Sequence, residues 1–199
     1  MLPPTPVTLE GDFVRLEPLA MSHLEPLCAV GLDPSLWEWT VSKVATCEQM
    51  AAYLQDALDG QAAGTMLPFV TIERASGTVV GSSRYGNIDV TNRRLEIGWT
   101  WVAPAWQRTA INTEAKLLMM RHAFDGLGCQ RVELKTDARN ERSRRAILRL
   151  GAKEEGRLRK HMVVAGGRVR DTVYFSVIDD EWPTVEARLM AMLSHHAQP

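Results

Sequence analysis

The stretch Leu95-Glu96-Ile97-Gly98-Trp99-Thr100-Trp101-Val102, which continues through Pro104 into Gln107-Arg108-Thr109-Ala110-Ile111-Asn112, decides the fold. Residues 95–102 read as a strand, Pro104 marks the turn that ends it, and 107–112 form a polar loop. A helix over 113–125 follows, with Ala115, Leu118, Met119 and His122 at i, i+3, i+4 and i+7; Gly126 and Gly128 end it. A second strand over 131–137 and a turn carrying Asn140 and Ser143 lead into a helix over 143–150, closed by Gly151-Ala152. A strand that feeds a helix through a polar loop presents unpaired backbone N–H groups, and the positive end of the helix dipole, to an anion such as a phosphate.

Upstream, Phe13-Val14-Arg15-Leu16-Glu17-Pro18-Leu19 alternates like a short strand, and Ser22 with Glu25 has the spacing of a capping box. Residues 32–43 are irregular and carry Trp37 and Trp39. Thr46 and Gln49 make a second capping box, before an apolar helical face of Met50, Tyr53, Leu54, Ala57 and Leu58 that Gly60 and Gly64 close. Segments 68–75 and 78–85 flank the hairpin turn Ser76-Gly77, and Asn92 precedes the third strand of this meander. Downstream, strands over 154–164 and 170–178 flank Gly166-Gly167, and Trp182-Pro183 opens a last helix with Val185, Leu189 and Met192 on one face. The order β-α-α-β-β-β-α-β-α-β-β-α, without internal repeat, predicts a single α+β domain over 1–199, with mixed αβα layers around one central sheet.

A chain of 199 residues buries enough surface to need no disulfide or metal staple. The three cysteines, Cys28, Cys47 and Cys129, lack C-x-x-C spacing and suggest neither a metal site nor a disulfide framework. With no signal pattern in residues 1–11 and no apolar run of membrane-spanning length, a cytoplasmic protein is expected. The net charge of −1 argues against general affinity for nucleic acid. The charge is uneven, however: residues 131–170 hold thirteen Lys and Arg against five Asp and Glu. That segment reads either as a solvated helix face with strand-edge charges or as an attractor for a small polyanion or a phosphate backbone.

In order and spacing these motifs resemble the acetyl-CoA-dependent N-acetyltransferases of the GNAT superfamily, closest to the branch that modifies ribosomal-protein N-termini (RimJ/RimL-type). The superfamily carries Gln/Arg-x-x-Gly-x-Gly/Ala where this chain has Gln107-Arg108-Thr109-Ala110-Ile111-Asn112, so Ala110 and Asn112 depart from it. Ala110 is tolerable if its φ is negative. Glu114-Ala115, Asn140-x-x-Ser143 and Leu150-Gly151-Ala152 match the branch.

The resemblance implies a largely antiparallel sheet splayed at the coenzyme site, with acetyl-CoA as co-substrate and no metal. It implies that backbone N–H groups at Thr100, Trp101 and Val102 bond the pantetheine arm and the thioester carbonyl. Gln107, Arg108, Thr109, Ala110, Ile111, Asn112, Asn140 and Ser143 would complete the coenzyme site, with Arg108, Arg139, Arg142 and Arg145 as phosphate candidates. Glu96 falls at the family's catalytic glutamate, on one strand face with Gly98 and Thr100. Four extended residues span about 13 Å, so a water would relay the amine's proton to it. The plain alternative is a strand Glu paired with Arg84, Arg93 or Arg94. Ile147 stands where many members place the tyrosine that protonates the leaving thiolate, which makes Ser143 the substitute; its plain role is the N-cap of its helix. Trp37 and Trp39, with Tyr85 and His161, are the acceptor-side candidates, and His122 reads as a core histidine.

The function so implied is acetyl transfer to a primary amine by direct attack in a ternary complex. The acceptor is a peptide or protein N-terminus or a small-molecule amine. A non-catalytic acyl-CoA-binding regulatory module is the alternative. The final helix and the hairpin at Gly166-Gly167 could mediate a homodimer.

Overall fold

The meander set by Ser76-Gly77 and Asn92 forms the middle of an eight-stranded sheet in the computed structural model, which describes residues 1–194 and 196. Across the sheet lie β1 (Leu9–Glu10), β2 (Val14–Pro18), β3 (Leu67–Glu73), β4 (Val79–Asp89), β5 (Arg94–Val102), β6 (Arg131–Asp137), β8 (Arg168–Ile178) and β7 (Lys153–Val164), in that order. Among the described residues every neighbouring pair is antiparallel except β5 and β6, which are joined by a helical crossover and run parallel.

Helices cover both faces. On one, α1 (Leu24–Gly31) and α2 (Cys47–Ala62) bring Leu27, Met50 and Leu54 against Val70, Ile72 and Trp101. On the other, α3 (Ala110–Arg121), α4 (Glu141–Leu150) and α5 (Trp182–Ser194) bring Met119, Ile147 and Leu189 into a larger core with Phe69, Leu95 and Phe175. Fully buried side chains such as Leu16, Phe69, Leu95 and Phe175 each contribute about 1.5–3 kcal/mol by leaving water. The mixed αβα layering expected from the element order is therefore the observed one, with the two-residue β1 added at the sheet edge.

Several local readings need correction. α3 begins at Ala110, not 113, because the Thr109 hydroxyl accepts the Ile111 N–H at 3.3 Å and caps the helix there. It ends in a π-helical turn, His122–Gly126. α4 begins at Glu141, and its cap is Asn140, whose Oδ1 accepts the Ser143 N–H at 3.0 Å; Ser143 sits in the first turn and is not the cap. The spacing of Ser22 and Glu25 produces no box: a 3₁₀ turn, Met21–His23, precedes α1, and His23 Nδ1 accepts the Ala20 N–H. Cys28 and Cys47 are joined, with Cα atoms 5.5 Å apart, against the expectation of unpaired thiols. The residues between α1 and α2 fold back to bring them together, and a count of three cysteines conceals such a pair.

The N-terminal segment is tied to α3 through one carboxylate. Glu114 accepts the backbone N–H groups of Asp12, Phe13 and Val14 at 2.8, 2.6 and 2.7 Å while only 4% exposed. Gly11 is required beside it, because a Cβ there would lie 2.4 Å from Glu114 Cδ. Glu114→Ala would leave three N–H donors without their acceptor, that of Val14 buried and those of Asp12 and Phe13 part-buried, so we expect a loss of about 2–3 kcal/mol in urea unfolding, with Glu114→Gln falling between. A change below about 1 kcal/mol would mean that water replaces the carboxylate at no cost.

Candidate active site

β5 and β6 pair only at Arg94, Leu95 and Glu96 against Arg131, Val132 and Glu133, and beyond that point they part. The cause lies within β5. Gly98 opposes Arg84 and Trp101 opposes Ser82, so Trp99 and Thr100 together face Ser83, a bulge made by the left-handed φ of +50° at Trp99. A non-glycine residue in that region costs about 1–2 kcal/mol. It also slips the alternation by one residue. Glu96 and Gly98 keep one face, whereas Thr100 turns to α3 and bonds Lys116 Nζ at 2.5 Å and Ser83 Oγ at 2.7 Å. The expected shared face of Glu96, Gly98 and Thr100 is thus broken at Trp99.

A cleft of about 780 Å³ opens where the strands diverge and runs to the N-termini of α3 and α4. At the strand end Glu96 is only 2% exposed. Its Oε2 receives Asn87 Nδ2 at 2.6 Å and Lys135 Nζ at 2.8 Å, so Asn87 and Lys135, not Arg84, Arg93 or Arg94, are its partners. Oε1 lies over Gly98, 2.6 Å from where a Cβ would stand, so glycine keeps that oxygen clear. A carboxylate with one oxygen fixed by two donors and the other turned along a cleft can accept a proton there.

At the helix end Gln107 Nε2 donates to the Val102 carbonyl at 2.9 Å, and Arg142 Nη1 donates to Gln107 Oε1 at 3.0 Å, which ties the end of β5 to α4. Arg108 lines the same wall with φ +64°. The backbone strain of this turn therefore falls on Arg108, while Ala110 is already helical and carries none. Arg149, whose Nη2 bonds Thr113 Oγ1 at 2.9 Å, adds a further cation.

Lys116 also lines the cleft and is 4% exposed. Its side-chain partners are two hydroxyls, Thr100 Oγ1 and Ser83 Oγ, and burial pushes its ammonium down to about 7.

Of the residues singled out from sequence, Glu96, Thr100, Trp101, Val102, Gln107, Arg108, Thr109, Asn112, Asn140 and Ser143 share this cleft with Trp37 and Trp39. Ala110 and Ile111 do not line it: both side chains are buried in the α3 core, and only their backbone lies at the helix tip. Tyr85 is not an acceptor-side residue. It is 0% exposed, stacks on His122 and donates to the Met119 carbonyl at 2.6 Å. His161 stands exposed on β7, bonded to Thr172 Oγ1 at 3.1 Å, and its neighbour Met162 reaches the cleft instead. Trp37 is core, with its indole N–H on the Gly31 carbonyl at 2.7 Å. Trp39 lies beneath the guanidinium groups of Arg139 and Arg168, at 5.0 and 5.5 Å.

Arg145 is exposed, and Ile147 lines the cleft. Lys116, Lys135 and Arg170 were not singled out from sequence, because a cation in a strand or helix pattern reads as solvated; the excess of Lys and Arg over 131–170 contains the last two without marking either. Among the described residues no cluster of three or more His, Cys, Asp or Glu could hold a metal ion, and no helix is long and apolar enough to cross a membrane.

Comparison with known proteins agrees with this geometry. The family described as Acetyltransferase (GNAT) domain matches residues 14–153. YdaF of Bacillus subtilis (strain 168), named as a ribosomal N-acetyltransferase, is 35% identical over 106 residues, 53% of this chain and 57% of YdaF. A GCN5-related N-acetyltransferase from Brucella melitensis superposes with a TM-score of 0.88 at 37% identity, over 95% of this chain and 86% of that one. Mycobacterium smegmatis RimJ, solved in complex with CoA-disulfide, superposes with a TM-score of 0.80 at 25% identity, covering 96% and 97%.

Proposed function

This chain belongs to the GNAT acetyltransferase family, in its RimJ/RimL-like branch, and on that premise we propose that it uses acetyl-CoA to acetylate a primary amine by direct attack in a ternary complex. The observation that carries the proposal is the single cleft that joins the helix tips at Arg108 and Arg142 to the free oxygen of Glu96. The residues present suit the coenzyme. Past Glu96 the β6-facing edge of β5 has no strand partner, so its amides are free for an amide-bearing arm. Arg108, Arg142 and the first turn of α3 suit phosphates.

Acyl transfer needs an uncharged amine. Glu96 takes the proton from the incoming ammonium, directly or through one water, and Gly98 leaves room above the strand. The amine nitrogen then bonds the acetyl carbon as the carbon–sulfur bond breaks, while N–H groups of Thr100 to Val102 hold the carbonyl oxygen, and the proton that the nitrogen sheds on becoming an amide ends on the released sulfur. A thiol has a pKa of about 8.5, so the sulfur leaves as thiolate with no tyrosine at position 147. Ser143 is the donor nearest in role. An α-amino group of a peptide or protein is the favoured acceptor, given the name that YdaF carries, and a small-molecule amine comes next. A cytoplasmic setting goes with this reading.

The purified protein should release free thiol from acetyl-CoA in the presence of at least one member of a broad amine and peptide panel. Tight coenzyme binding by calorimetry without thiol release across the panel would overturn catalysis and leave a non-catalytic coenzyme-binding module.

A further inference from the structure

Among the described residues, the one buried guanidinium that lines the cleft has no counter-ion. Arg170, on β8, is 5% exposed, lines the cleft and leaves its buried Nε without a hydrogen-bond partner. Among the described residues it forms no ion pair. The two carboxylates whose fields reach it, Asp137 and Glu96, are engaged elsewhere. Asp137 is held by Arg168 at 2.5 Å, by the Arg139 N–H at 2.9 Å and by the Arg139 side chain at 3.8 Å. Glu96 Oε2 is held by Lys135 and Asn87.

Four cations, Lys135 and Arg170 lining the cleft and Arg139 and Arg168 over the Trp39 ring that also lines it, thus stand against two carboxylates. Arginine cannot shed its proton to escape burial. An unpaired buried charge costs several kcal/mol unless an opposite charge meets it with hydrogen bonds. Burial lowers the Arg170 pKa, and Asp137 and Glu96 oppose that fall without touching it.

We propose that Arg170 is the specificity anchor of the acceptor site, receiving a carboxylate on the amine substrate in a two-pronged hydrogen-bonded pair. The inference rests on the transfer reading above and narrows it to amino-carboxylate acceptors. The carboxylate could belong to a free amino acid or to an acidic residue near a peptide N-terminus. The cleft supports both sources, because Met162, the strand partner of Arg170, lines it together with Trp39 and Trp99 and offers apolar surface to the rest of the acceptor.

The test compares matched acceptors. Thiol release is measured with free amino acids against their amides, and with C-terminally amidated peptides beginning Ser-Glu against Ser-Gln. Wild type should prefer the carboxylate member of one of these pairs by about 30-fold or more in kcat/KM, the size expected for a buried charged pair. Preference for the free amino acid, or for Ser-Glu, identifies the source. Arg170→Met should collapse that preference to about one while the dissociation constant for coenzyme A, by calorimetry, stays as in wild type; Arg170→Lys should restore part of it.

Equal use of acid and amide in both pairs by wild type overturns the proposal, even if neither variant folds. So does an Arg170→Met that weakens coenzyme A binding tenfold, because the charge would then serve the phosphates. If no amine releases thiol, calorimetric titration of the same amino acids and amides into the coenzyme A-loaded protein decides between them, so loss of the transfer reading and loss of the Arg170 anchor register separately.

Discussion

Glu96→Gln is expected to slow acetyl transfer at saturating amine by at least about tenfold while leaving coenzyme A affinity intact. The amide keeps the shape of the side chain and its place over Gly98, but it cannot take up a proton. Its Oε1 position is the one oxygen of Glu96 free of Asn87 and Lys135, so the loss falls on the step that uses it. The substitution also leaves Lys135, whose side chain is 15% exposed, without its carboxylate, and that disturbance must be separated from the loss of a base. Lys135→Met supplies the control, because it removes the cation and keeps the carboxylate. If Glu96 acts as the base, Lys135→Met retains more activity than Glu96→Gln, and raising the pH narrows the deficit of Glu96→Gln as the free amine becomes more abundant. Wild-type rates for Glu96→Gln at every pH would remove Glu96 from the mechanism. Equal losses in both variants would reduce it to half of a structural ion pair.

The order of elements was legible because each boundary carries a local physical signal. Ser76-Gly77 and Gly166-Gly167 turn hairpins, Gly77, Gly166 and Gly167 with positive φ, and the apolar spacing buries Met50, Tyr53, Leu54 and Ala57 on α2 and Val185 and Leu189 on α5, with Leu58 and Met192 half-buried. The polar turn over 107–112 was legible as the entry to a helix, and the structure puts it at the N-terminus of α3; many such turns bind nothing, so it drew attention through its spacing from the Asn140 turn. What failed are features that depend on strict alternation or on tertiary neighbours. The bulge at Trp99 reverses the side-chain direction from Thr100 onward, and no residue of Gly98-Trp99-Thr100 marks where a left-handed φ will fall. Tyr85 follows two serines and Arg84 on a meander strand, so its facing depends on register; in the structure it turns to α3 and Arg84 turns to Tyr53 on α2. Arg170 follows Arg168 at the start of β8 in a pattern that looks solvated, and only its place opposite Met162 of β7, on the cleft wall, shows that it is buried. Charge pattern could have directed attention there, since the excess of Lys and Arg over residues 131–170 supplies Lys135 and Arg170 to the cleft and Arg139 and Arg168 to the Trp39 ring, but pattern alone does not say which buried cation lacks a partner.

Lys116→Met is expected to raise stability, and most strongly at low pH. The folded protein holds the Lys116 ammonium at about 7 against 10.5 for an unhindered lysine, purely through burial. Below pH 7 both folded and unfolded chains carry the proton, and the folded state bears the whole cost of a buried charge, on the order of 3–5 kcal/mol. Between 7 and 10.5 the unfolded chain keeps the proton and the folded one has released it, so the cost shrinks as pH rises; above 10.5 it is gone. The advantage of the methionine variant in urea unfolding should therefore narrow by about 2–3 kcal/mol from pH 6 to pH 9. Taking the difference between variant and wild type cancels the other titrating groups, which lie in the same places in both. Ser83 and Thr100 remain bonded to each other at 2.7 Å, so the substitution leaves neither hydroxyl unpaired. An advantage that stays constant with pH would show that Lys116 keeps its charge through water or an unseen anion. In that case the cleft wall beside Thr100 is positive near neutral pH, and the amine acceptor is repelled from it and drawn to the side of Glu96.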